Sequence, residues 1–180
     1  MRSFVALQVP EELTAALLRV QSAIPEGRAV PAENLHLTLA FLGDVAEPAL
    51  DLLSSDLADR HLPLCRIVPR GLALYGGSDP KLLAVEIDPL PDLVEAQAQV
   101  VRAARGAGLH LKRERFRPHV TLTRFGRGLG AQGQAMLNRR LAEMGAPDLP
   151  EGIARQAALY ASTLRPGGAE HQPLAVYPLS

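Results

Sequence analysis

"ENLHLTLAFLG" at 33–43 and "FRPHVTLTRFG" at 116–126 write His, an apolar residue, Thr and Leu twice in one chain. In an extended strand, residues i and i+2 share a face and lie about 7 Å apart. His36 and Thr38 therefore project together, as do His119 and Thr121, while Leu35, Leu37 and Leu39, and likewise Val120 and Leu122, turn the other way. Each stretch predicts a strand with one apolar face for a core and one face that carries chemistry. With five His among 180 residues and Thr equally scarce, chance supplies only about 0.1 His-x-Thr triplets.

The surroundings of the two stretches repeat as well. "SFVALQV" (3–9) is a short strand-forming run ended by Pro10, and "EELTAALLRVQSAI" places Leu13, Leu17, Val20 and Ile24 at helical spacing. "KLLAVEIDPL" (81–90) resembles that first strand with Pro89 standing for Pro10, and "PDLVEAQAQVVRAARGAG" is an amphipathic helix stopped by Gly106 and Gly108. Pro10 precedes His36 by 26 residues and Pro89 precedes His119 by 30, about a one-turn difference and consistent with an internal duplication. "EPALDLLSSDLADR" reads as a helix with Leu50, Leu53 and Leu57 inward, residues 63–76 as a strand, and "IARQAALYASTL" and "HQPLAVYPLS" as two strands joined around "RPGG". The pattern predicts an α+β sandwich of two lobes, its strands not all parallel and its helices on one side. Residues 1–180 are expected to form one domain of two intertwined lobes, each carrying one His-x-Thr strand.

Composition narrows the partners. Lys plus Arg and Asp plus Glu number 19 each, so no global field draws the molecule to nucleic acid or to a membrane, and any contact with RNA must be local. The lone Cys65 fits a reducing compartment and a small buried apolar role. The opening apolar run is too short and too soon acidic for a signal peptide, and no stretch approaches a membrane span. The expectation is a soluble cytoplasmic protein without membrane contact, and a monomer.

Two facing histidines suit acid-base chemistry. Imidazole titrates near neutrality, so one ring accepts a proton while the other donates one. Threonine hydroxyls and a guanidinium such as Arg124 are the donors expected around phosphoryl oxygens, with Arg117 or Arg165 as a second charge. A metal site is the rival for the same rings, but it needs three or four ligands and only Asp44 follows either motif closely. "GRGLGAQG" (126–133) lacks the Lys-Ser/Thr of a phosphate-binding loop and reads as a flexible turn. His61, His110 and His171 lack the strand setting and read as surface or structural.

At these motifs the chain resembles the two-histidine (2H) phosphoesterase superfamily, and within it the bacterial and archaeal RNA 2',3'-cyclic phosphodiesterases, also called 2'-5' RNA ligases or LigT-like proteins. The likeness runs through "FVALQVP", "PAENLHLTLAFLG", "FRPHVTLTR" and "LYASTLRPGGAEHQPLAVYPL". It implies a pseudo-symmetric, duplicated α+β fold of two lobes, antiparallel sheets facing a central cleft lined by His36, Thr38, His119 and Thr121, with helices on the outside. It implies opening of a 2',3'-cyclic phosphate to a 2'-phosphate, His119 as base and His36 as acid, reversible 2'-5' ligation, and no cofactor or metal. The implied partners are RNA ends or nucleotides bearing that cyclic phosphate. Relatives on 2'-5' oligonucleotides or ADP-ribose cyclic phosphate, and a non-catalytic RNA-end binder, are the alternatives. Ala29, Ala40 and His171 depart from the family's pattern.

"LKRERFRPH" (111–119) gives Arg113, Arg115 and Arg117 the parity of His119. In one continuous strand they form a basic track to the cleft for an RNA backbone; in a loop they pair with surface acids. Phe41 and Phe125, just beyond the motifs, are candidates to stack on a base or to fill the core.

Overall fold

A computed structural model describes all 180 residues as ten strands and four α-helices. The order is β1 (Arg2–Gln8), α1 (Glu11–Ser22), β2 (Arg28–Ala29), β3 (His36–Asp44), α2 (Glu47–Asp59), β4 (Cys65–Ile67), β5 (Pro69–Tyr75) and β6 (Leu82–Ile87). It continues with α3 (Pro91–Gly106), β7 (His119–Arg124), α4 (Gly130–Met144), β8 (Gly152–Ala154), β9 (Gln156–Arg165) and β10 (Gly168–Pro178). The strands run β10-β9-β1-β3-β7-β6-β5, with β2 paired to the end of β7 and a separate β4-β8 ribbon. Every pairing is antiparallel.

The duplication is written in the register. Gln8, Leu7 and Ala6 lie across from His36, Leu37 and Thr38, and Glu86, Val85 and Ala84 lie across from His119, Val120 and Thr121. Gln8 thus matches Glu86, which leaves Pro10 and Pro89 one residue out of equivalence, correcting the alignment that the prolines suggested. The halves join where β3 meets β7, through the pair Leu37–Val120, and where β2 lies along the end of β7, with Arg28 across from Arg124 and Ala29 across from Thr123.

One face of this sheet is covered by helices, as the alternation demands. Leu37, Leu39, Val120 and Leu122 are buried in a 31-residue cluster that draws on both halves. α3, from the second half, packs on β3, and α1, from the first, packs near β7. Gln21 fastens α1 there: its buried side-chain amide donates to the carbonyl oxygens of Val30 at 2.8 Å and Leu122 at 2.6 Å. Cys65 is buried, its thiol donating to the Pro63 carbonyl oxygen at 3.3 Å, and burial pushes its pKa up to about 12.

Two local readings fail. Residues 63–76 divide at Val68, because β4 pairs with β8 while β5 pairs with β6 through an irregularity at Pro69 and Gly71. The glycine-rich stretch read as a flexible turn instead runs into α4, which buries Leu137 against Ile24, Leu83 and Phe125. Glycines weaken local helix preference, and tertiary packing of the Leu137 side overrides it.

Candidate active site

Each histidine opens its strand, and each ring is fixed by its own backbone. Nδ1–H of His36 donates to the Asn34 carbonyl oxygen at 2.6 Å, and Nδ1–H of His119 donates to that of Arg117 at 2.8 Å. A carbonyl only accepts, so both contacts place the proton on Nδ1 and leave Nε2 for exchange. Continuing the register from Leu37–Val120 puts Thr121 across from His36 and His119 across from Thr38. The two imidazoles are then diagonal neighbours on one face, a relation that spans about 7–8 Å between backbones.

Both motif strands break their alternation just after the threonine. The β1–β3 register skips between Ala6–Thr38 and Val5–Ala40, and the β6–β7 register skips between Ala84–Thr121 and Leu83–Thr123. A bulge of this kind reverses which residues face outward. Ala40 and Thr123 are consequently buried, while Phe41 and Arg124, each five residues after its histidine, emerge. Phe41 is 68% exposed. The same reversal sends Phe125 into the core, 5% exposed, which corrects its candidacy as a stacking ring. Gly27 fits beside it at φ +78°: a Cβ there would meet Phe125 Cδ1 at 2.6 Å.

The two rings sit in different surroundings. His36 lies against Phe4 (4.8 Å between centroids) and, edge-on, against His171 at 5.4 Å. Burial lowers its pKa to about 4, and the charges of His171, Arg124 and His119 push the same way, against the Asn34 carbonyl. Burial, then Arg124 and Arg2, also lower His171. His171 was read from the sequence as surface or structural; it stands in the cleft, and only its place in the closing hairpin hinted at this.

His119 stacks on Tyr75 at 4.7 Å. Tyr75 donates to Glu86 Oε1 at 3.2 Å, and Arg117 lies 4.6 Å over the Tyr75 ring while pairing with Glu86 at 3.3 Å. Neither Tyr75 nor Glu86 carried a sequence signal. The basic track is corrected here: residues 109–118 are outside any strand, so Arg113, Arg115 and Arg117 do not share the alternation of His119. Pro118, which has no N–H for a ladder, stands at the break. Arg113 is exposed in that connection, and Arg115 and Arg117 border a hollow of about 440 Å³ with Tyr75 and Glu86.

The larger cavity, about 880 Å³, is walled by His36, Thr121, Phe41, Arg124 and His171 among others. Thr38 and His119 lie at the β3–β7 seam, outside that wall. Four arginines, Arg2, Arg28, Arg124 and Arg165, line it, and no carboxylate does. Such a wall favours an anion.

Comparison with known proteins fits this geometry. A family model described as LigT-like phosphoesterase matches residues 7–82. The RNA 2',3'-cyclic phosphodiesterase of Methanocaldococcus jannaschii is 30% identical over 176 residues, covering 93% of this chain and 95% of that one. The protein of the same description from Escherichia coli K12 is 32% identical over 135 residues, covering 68% and 71%. The crystal structure of E. coli LigT complexed with 3'-AMP superposes with a TM-score of 0.75 at 24% identity, over 99% of this chain and 97% of that one.

Proposed function

Because this chain belongs to the LigT-like phosphoesterase family, the RNA 2',3'-cyclic phosphodiesterases, we propose that it opens 2',3'-cyclic phosphate ends of RNA to 2'-phosphates, with His36 and His119 as the proton-transfer pair. The observation that carries the reading is the matched anchoring of both rings, which frees two Nε2 atoms on one face of one seam.

In this scheme water attacks phosphorus as Nε2 of His119 takes its proton. The P–O3' bond breaks, and Nε2–H of His36 delivers a proton to the departing oxygen, leaving a 2'-phosphate and a 3'-hydroxyl. Thr38 and Thr121 donate to the non-bridging oxygens, and Arg124 offsets their charge. Phe41 offers an exposed ring to a base. With an RNA 5'-hydroxyl attacking in place of water, the same groups form a 2'-5' linkage; run backward, they cleave that linkage to the cyclic phosphate. The scheme calls for no metal or cofactor. The whole chain, residues 1–180, acts as one domain, because each half supplies one histidine; we place it in the cytoplasm as a monomer, where the single thiol of Cys65 suits a reducing compartment.

The order of proton transfer has a requirement. With a pKa of about 4, only about one His36 ring in a thousand is protonated at pH 7. A negative charge about 4 Å away, near the surface, stabilises imidazolium by about 4 kcal/mol. That is about three pKa units, enough to bring the ring to about 7. The substrate's own phosphate therefore charges the acid that will cleave it.

The test is product analysis on 2',3'-cyclic AMP. The wild type is expected to yield 2'-AMP, and His36→Ala or His119→Ala to lose about 10²- to 10⁴-fold in rate while remaining folded. Wild-type turnover in either variant removes the acid-base roles; no product from the wild type leaves a binding module.

A further inference from the structure

We propose that Arg2 and Arg28 form a second anion subsite in the large cavity, which takes the phosphate on the 5'-oxygen of the reacting nucleotide and so favours oligonucleotide ends over lone cyclic nucleotides. The inference rests on the proposed reaction and adds the residues that recognise the RNA strand beyond the reacting phosphate.

The cavity holds more positive charge than one cyclic phosphodiester needs. Arg165 is paired with Glu170, but none of the protein's eight ion pairs uses Arg2, Arg28 or Arg124. Arg28 reaches only the Pro166 carbonyl oxygen, at 3.5 Å. Arg2 stands close enough to Arg124 to lower its pKa, second to burial. Asp44 is across from Arg2 in the ladder, yet no ion pair joins them. Like charges gathered without a counterion, in a molecule of zero net charge, are relieved by an anion from outside.

Spacing and size identify that anion. Arg2 lies four residues along β1 from Ala6, the residue across from Thr38, or about 13 Å by strand rise. An arginine reaching back from there meets a group one nucleotide removed from the threonines. When a cyclic phosphate occupies the 2' and 3' oxygens, the next phosphate along RNA is the one on the same ribose's 5'-oxygen. Ligand sites run to about 300–1,000 Å³, and about 880 Å³ lies toward the upper end, with room for more than one nucleotide.

The experiment compares kcat/KM for 2',3'-cyclic AMP and for the dinucleotide ApA ending in a 2',3'-cyclic phosphate, in the wild type and in an R2Q/R28Q variant. The wild type is expected to favour the dinucleotide by about 10-fold or more, and the variant to lose most of that preference while changing less than about twofold on the mononucleotide. No preference in the wild type, or equal losses on both substrates, overturns the subsite. Calorimetric binding of adenosine 2',5'-bisphosphate against 2'-AMP asks the same question without turnover, with the same 10-fold difference expected and lost in R2Q/R28Q. If neither substrate is turned over but this difference holds, the catalytic reading fails and the subsite stands; equal binding of the two nucleotides overturns it.

Discussion

The halves of this molecule share a strand register and differ in what they place around it. His36 has Gln8 across the ladder and His171 and Arg124 in its neighbourhood; His119 has Glu86 across the ladder and Tyr75 against its ring. Duplication supplied two equivalent imidazoles, and divergence of the neighbours gave them unlike surroundings. One ring waits neutral in a cationic, largely buried setting. The other stands at the seam beside Glu86, Tyr75 and Arg117. Acid and base roles in one reaction are served by such unlike surroundings.

The bulges sharpen the same contrast. Phe41 and Arg124 occupy equivalent places, so one half offers a ring and the other a guanidinium. Phe125, one residue beyond Arg124, points the opposite way. Phe125→Ala is expected to destabilise the fold by about 3–5 kcal/mol, against less than about 0.5 kcal/mol for Phe41→Ala, as read by denaturant unfolding. Similar losses would place both rings in the core and undo the bulge argument. Arg124→Gln is expected to lower kcat/KM on 2',3'-cyclic AMP by about 10- to 100-fold, the size of a hydrogen bond to a charged group. Phe41→Ala should chiefly raise KM, by about 10-fold for one base stack. A loss confined to KM for Arg124→Gln would move that guanidinium away from the developing charge.

The smallest effect concerns His171. Its charge presses the His36 pKa down, so His171→Phe, which keeps a ring there, should move the His36 titration upward, by less than burial moved it. An NMR titration of the His36 ring checks the direction. A downward or absent shift would make His171 a packing residue only.

Much of this site could be read from the sequence because its chemistry follows the strand's period of two. His36, Thr38, His119 and Thr121 are paired by alternation alone, and the apolar residues between them found the helices. What alternation does not hold is the place where it stops. The extra residue in β3 and in β7 turned Phe41 outward and Phe125 inward, and only the partner strand shows where the slip occurs. His171, Tyr75 and Glu86 come from strands distant in the chain, and Arg2 and Arg28 are single cations that gain meaning only from sharing one wall. α4 was hidden by its glycines, although Leu137, Leu141 and Met144 keep a helical stripe.

The claim on which the contrast turns is that an arriving phosphate protonates His36. Binding of 2',3'-cyclic AMP to the slow His119→Ala variant, measured calorimetrically near pH 6 in buffers of different ionisation heat, tests it directly, since a phosphodiester does not itself titrate there. A ring that rises from about 4 to about 7 takes up close to one proton at that pH, with uptake fading above pH 7 and again below pH 4. Binding without proton uptake would contradict it, leaving His36 neutral as the acceptor and His119, beside Glu86, as the donor.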